Sequence, residues 1–211
     1  MADVVGARGR VVGIDVSDDL LTFARARNTR PWLSYEKGNA VGLEVPNASF
    51  DVAVSVQVLE YVDDVDAAIR EMFRVLRPGG RALVMNTDWD RVGWYSANPD
   101  RMARVRKAWE AHCAHPRLPQ TLAPRLRDAG FTLAEVSTFQ IVNTKLEPGT
   151  YSYGVVDLIR DFVAERGLVD PEELAAWADE LHALSAQGHY FLSTTRSFFG
   201  VRRPASTSDD A

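Results

Sequence analysis

Along the first ninety positions, short β-branched runs alternate with amphipathic stretches. Val11, Val12, Ile14 and Val16 read as a buried strand that carries an acid, Asp15, near its end. Ser17 is a good N-cap, with Asp18 and Asp19 in the first turn, where the helix dipole favours negative charge. The predicted helix carries Leu20, Leu21, Phe23 and Ala24 and stops by Pro31. "WLSYEKG" is a short strand and "NAVGLEVPNAS" a loop. "FDVAVSVQVL" gives another buried strand through Val52, Val54, Val56 and Val58. Asp64 begins a helix with Val65, Ala68, Ile69, Met72, Phe73 and Leu76 on one face. It ends at "RPGG", a turn that serves structure alone, before the strand "RALVMN". Strand and helix alternating at this spacing predict a parallel sheet with crossover helices.

The second half changes character. Helices are expected at about 98–113 and at "TLAPRLRDAG", then a longer strand, "FTLAEVSTFQIVN", of antiparallel type. "YGVVDLIRDFVAERG" and "DPEELAAWADELHAL" are helices, the second with Asp170 as N-cap, Pro171 at its first position and Glu173 closing a capping box. "YFLSTTRSFFGVRR" is the final strand. This pattern predicts one domain over 1–204, a helical cap at about 150–187 between the last two strands, and a disordered polar tail over 205–211.

Composition narrows the function classes. The 211 residues are 46% hydrophobic and 25% charged, enough for a sizeable core. A net charge of −5 argues against a nucleic-acid partner, which would call for a basic face. The single cysteine, Cys113, excludes an internal disulfide and a multi-cysteine metal site, and suits a cytoplasmic location. None of the four histidines has a metal-ligand partner at helical spacing, so no metal is expected. No run approaches the ~18 apolar residues of a membrane span, and residues 1–10 lack the apolar core of a signal peptide.

"VVGIDVSDDLL", "GNAVGLEVPNASFDVAVSVQVLEYVDD" and "IREMFRVLRPGGRALV" together resemble successive signatures of class I S-adenosylmethionine-dependent methyltransferases of the type 11 group. The resemblance implies an α/β, Rossmann-like, mostly parallel sheet and S-adenosyl-L-methionine as cofactor. It assigns Asp15 to the ribose hydroxyls and Val16 to the adenine face. Asn39, where the family usually has Asp, is assigned to the adenine amino group, and the backbone of Ala40 to the ring. The backbone near Gln57 passes the methionine end. The family's first strand and Gly-x-Gly loop have no counterpart, and "MADVVGARG" resembles the end of the helix that follows that loop. The expected sheet is therefore N-terminally truncated, with two strands left without their neighbour. The preferred expectation is that coding sequence lies upstream of Met1 and that the chain as written is cofactor-deficient; the other is that another chain fills the gap, as in a homodimer.

"NTDWDRVGWYS" lies just past a strand's carboxyl end, where open α/β sheets place ligands. Trp89, Trp94 and Tyr95 are candidates to wall a pocket for a small-molecule acceptor. Glu60 and Asp88 are the candidate catalytic acids, able to orient a nucleophile or accept its proton. A nicotinamide-dependent oxidoreductase fits less well, for want of a Tyr-x-x-x-Lys pair, and a nucleic-acid methyltransferase for want of an Asn-Pro-Pro-Tyr-like tetrad. A non-catalytic, methyltransferase-derived interaction domain is the alternative reading.

Overall fold

The computed structural model describes residues 1–206. A four-residue helix, α1 (Ala2–Val5), precedes β1 (Val11–Asp15), which pairs in parallel with β2 (Leu33–Lys37) around the crossover helix α2 (Asp18–Arg27). The Ser17 hydroxyl accepts from the Leu20 amide at 3.3 Å, the predicted cap. Arg25 in the last turn donates to the Tyr35 carbonyl at 2.8 Å, and Asn28 to the Leu33 carbonyl at 2.7 Å, so α2 is fastened to β2 by its own end. α1 is held by the Trp32 indole N–H, which donates to the Ala2 carbonyl at 2.9 Å.

A second sheet holds β3 (Phe50–Val56), β4 (Leu76–Thr87), β5 (Gly93–Trp94), β6 (Thr132–Asn143) and β7 (Leu192–Arg202). β3 and β4 are parallel, while β7 runs antiparallel to β4, β5 and β6. The α/β architecture is thus present with a mixed ladder, where a mostly parallel one was expected. The long β6–β7 pairing accounts for much of its antiparallel part. Val54 lies opposite Leu83 and Val84 opposite Phe199.

The predicted Pro-Gly-Gly turn is a bulge within β4. Phe50 faces Leu76, the next pairing is Val52 with Arg81, and residues 77–80 loop out between them. Gly79 sits at φ 80°, and a Cβ on Gly80 would lie 2.8 Å from the Arg77 carbonyl oxygen, so neither position tolerates a side chain freely.

The two sheets are not joined. Among the described residues β1 pairs only with β2, and β3 only with β4, so each keeps one open ladder edge. Val16, Leu20 and Phe23 beside β1, and Val52, Val56 and Val58 along β3, are exposed apolar side chains.

Two cores pack on the second sheet. α3 (Val65–Val75), capped by Asp64 accepting from Ala67 N at 2.8 Å, buries Val65, Ala68, Ile69 and Met72. α5 (Leu118–Asp128) adds Leu118, Leu122 and Leu126 to that core. The other core joins α4 (Pro99–Trp109) to α6 (Tyr151–Glu165) and α7 (Pro171–Ala186). Asp170 accepts from Glu172 N and Glu173 N, but the Glu173 carboxylate does not close the expected box. It binds the Arg104 guanidinium at 2.7 Å instead, a charged partner outcompeting a backbone N–H. The helices of the expected cap, α6 and α7, share this buried core with α4. Residues 207–211 of the expected tail lie outside the described residues.

Candidate functional site

The carboxyl ends of β1, β3 and β4 carry most of the residues singled out in the sequence. Asp15 ends β1, and one carboxylate oxygen accepts from Ser17 N at 2.8 Å, which turns the chain into α2. Its other oxygen takes no hydrogen bond among the described residues and is free to accept from a ligand. Val16 beside it is 63% exposed, an apolar surface without an intramolecular partner.

Asn39 is exposed, and its amide oxygen accepts from Val41 N at 3.1 Å. That oxygen, expected to face an adenine amino group, is engaged in a local turn, because an Asn side chain readily caps the backbone two residues on. Ala40 packs against the α3–α5 core. The loop beyond is gripped by Arg74, which donates to the carbonyls of Leu43 and Val45, each at 2.8 Å, and to Asn47 Oδ1 at 2.7 Å. Sequence reasoning passed over Arg74, since one arginine on a helix carries no motif.

Gln57, just past β3, adopts φ 51°, the left-handed region that a non-glycine residue enters at a cost of order 1–3 kcal/mol. Its amide donates to the Met85 carbonyl at 2.8 Å and its side chain to Thr87 Oγ1 at 3.0 Å. The bend turns the chain away from the sheet into a 3-10 turn, Leu59–Tyr61, which drives Glu60 inward. Glu60 is 0% exposed. One of its oxygens accepts from the Asn86 side-chain amide and the other has no partner. Burial pushes its carboxyl above the usual carboxylate range, against the opposing pull of hydrogen bonds and the Arg196 charge. The neighbours respond to the same burial, and next to the Glu60 charge. The Tyr61 hydroxyl is pushed up to about 12 and the Cys113 thiol to about 11.

Asp88, after β4, is held by Gln120 Nε2 at 2.8 Å and lies 3.6 Å from the Arg91 guanidinium, with its second oxygen unpartnered. It is more tightly tethered than Glu60.

Trp89 and Trp94 face a cavity of about 30 Å³ together with Trp109, Tyr151, Val155 and Thr194. Tyr95 is 50% exposed and stands outside that lining. Trp109, Tyr151 and Thr194 went unnamed in the sequence. Only Trp109 gives a signal there, sharing a helical face with Met102 and Val105. The indole N–H groups of Trp89, Trp94 and Trp109 are buried without a partner. His112 stacks on Trp109 with centroids 3.7 Å apart, and burial drives its imidazole down to about 4. Among the described residues no group of three or more His, Cys, Asp or Glu could hold a metal ion.

Residues 1–84 match the methyltransferase domain family model. Over those residues the chain is similar to methyltransferase domains. It is 38% identical over 90 residues to a 2-phytyl-1,4-naphtoquinone methyltransferase of Synechococcus elongatus, covering 41% of this chain and 39% of that protein. It is 33% identical over 126 residues to a ubiquinone/menaquinone biosynthesis C-methyltransferase of Edwardsiella ictaluri, covering 57% and 46%. The match therefore spans less than half the length of these relatives. A putative methyltransferase from Bacillus halodurans shares the fold at a TM-score of 0.63 and 18% identity, over 93% of this chain and 84% of that one.

The family-model match ends at residue 84, before Trp89 and the rest of the cavity lining. Within the match, Asp15 and Val16 fit the adenosine end of the cofactor: one free carboxylate oxygen and one bare apolar side chain at a strand tip. For the cofactor's amino-acid end, no strand stands between β1 and β3 among the described residues to offer backbone N–H groups.

Proposed function

We propose that this chain supplies the adenosine-binding and acceptor-binding parts of an S-adenosylmethionine-dependent methyltransferase whose acceptor is a small molecule. Asp15 carries the reading, its carboxylate at the tip of β1 with one oxygen holding Ser17 and the other free. That geometry suits a pair of ribose hydroxyls, as acids at this position do in nucleotide-binding α/β folds. The bound cofactor supplies an electrophilic methyl group. The protein's own part is to orient the acceptor's nucleophilic atom and accommodate its proton. Glu60 is the better placed acid for that, with an unpartnered oxygen and a raised pKa. Gln57 and Thr87 hold the bend that buries it.

The open edges of β1 and β3 support a further strand between them, which would complete the amino-acid end of the site. The same edges favour the second reading, an interaction module that pairs with another chain.

Calorimetric titration with S-adenosylhomocysteine separates the two. Binding that weakens by about tenfold to a hundredfold in Asp15→Ala, the loss of a charged hydrogen bond, supports the enzyme reading. Affinity unchanged by that substitution removes Asp15 from the site, and no binding by either protein favours the interaction module.

A further inference from the structure

The cavity between β5, β7, α4 and α6 is walled by buried polar groups without partners: the indole N–H groups of Trp89 and Trp109, and the hydroxyls of Tyr151 and Thr194, which can donate or accept. Trp89 is 8% exposed and Trp109 6%, and the indole N–H of each is buried with no partner. Thr194 is 1% exposed with its hydroxyl also unpartnered. An indole can only donate. The two charged residues of the lining are already engaged: Arg106 donates to the Asp90 carbonyl at 3.0 Å, and Glu110 pairs with Lys107 at 2.6 Å. What remains unsatisfied is a set of neutral groups in which the two indoles can only be met by an acceptor and the two hydroxyls can adapt to it. A buried donor without an acceptor is costly enough that structures rarely keep one without reason.

We infer that this cavity is the acceptor subsite and that it selects an uncharged aromatic molecule bearing a hydrogen-bond-accepting oxygen, such as an aryl ketone or a phenol ether. The inference rests on the methyltransferase reading for the word acceptor, and on the cavity alone for the ligand class. A space of about 30 Å³ holds roughly one water, hence one oxygen-bearing group rather than a ring. The ring itself lies toward Trp94, the half-buried wall, where it meets an aromatic surface. An aromatic-lined cavity can also hold an alkylated ammonium. Here a cation would leave the indole N–H groups unpaired and would face their positive ends.

The test uses three matched probes on the whole chain without cofactor: acetophenone, toluene and phenyltrimethylammonium, followed by the indole ¹H–¹⁵N resonances. Acetophenone is expected to move the Trp89 and Trp109 indole signals downfield and to bind about five-fold tighter than toluene, the effect of one net hydrogen bond. Phenyltrimethylammonium should bind more weakly than either. Trp89→Phe and Trp109→Phe keep a ring but remove the donor, and each should bring acetophenone toward the toluene affinity. Toluene binding as well as acetophenone, a preference for the ammonium, or indole signals unmoved by acetophenone overturns the inference. The wild-type indole shifts decide the matter if either variant fails to fold. Because no cofactor is present, loss of S-adenosylhomocysteine binding would overturn the methyltransferase reading and leave this result standing, and the converse also holds.

Discussion

The side-chain amide of Asn86 donates to one oxygen of Glu60 where β4 ends beside the turn that follows β3, and the other Glu60 oxygen has no partner. Both residues are fully buried. A carboxyl in that position is held half-satisfied, and its charge works against the fold.

Glu60 therefore links pH to stability with a definite sign. Its folded pKa lies above its ordinary value of 4.5, so the stability it contributes is full below that value and is lost as pH rises through the folded one. Glu60→Gln, which keeps the shape and removes the charge, should be more stable than wild type at pH 8 and nearly equal at pH 4. Urea midpoints across that range check it. Turnover of a methyl acceptor should fall at least about a hundredfold in the same variant if Glu60 handles the acceptor's proton.

His112 works in the opposite direction. Burial holds it near 4, below its ordinary 6.5, so it stays neutral in the fold while the unfolded chain protonates. Its contribution is complete above about pH 6.5 and is lost as pH falls toward about 4. His112→Phe should flatten that part of the stability profile while keeping a ring against Trp109. A slope unchanged between pH 6.5 and 4 would mean that His112 titrates normally.

Arg74 should control the 39–49 loop. Its guanidinium holds Leu43, Val45 and Asn47 together, alongside both oxygens of Glu71. Arg74→Ala should speed amide hydrogen exchange over residues 41–49 and weaken S-adenosylhomocysteine binding, since Asn39 and Ala40 open that loop. Arg74→Lys should not restore either property, because one ammonium cannot span the same set of acceptors.

Trp177, on α7 and 1% exposed, tests how firmly the cap helices belong to the core. Trp177→Ala should cost about 3–5 kcal/mol, as for other buried tryptophans. A loss below about 1 kcal/mol in denaturant titration would show that these helices pack independently of α4.

Local rules made much of this chain legible. Ser17, Asp64 and Asp170 are caps because short polar side chains satisfy free helix N–H groups, and all three do so here. The strand runs over Val11–Asp15 and Phe50–Val56 follow from β-branched residues that need a buried ladder. The order of those runs carries the similarity to a methyltransferase domain over residues 1–84, and Asp15 lies where strand, acid and cap coincide. Tertiary structure decided what depends on distant partners. Glu60 is an ordinary acid until the left-handed Gln57 turns it beneath Asn86, 26 residues away. Trp109, Tyr151 and Thr194 share no spacing, because a cavity is assembled by packing and no helical or strand period repeats across it. Val16, Phe23 and Val56 look in sequence like core residues. They are exposed because burial needs a neighbouring strand, and between β1 and β3 the described residues provide none.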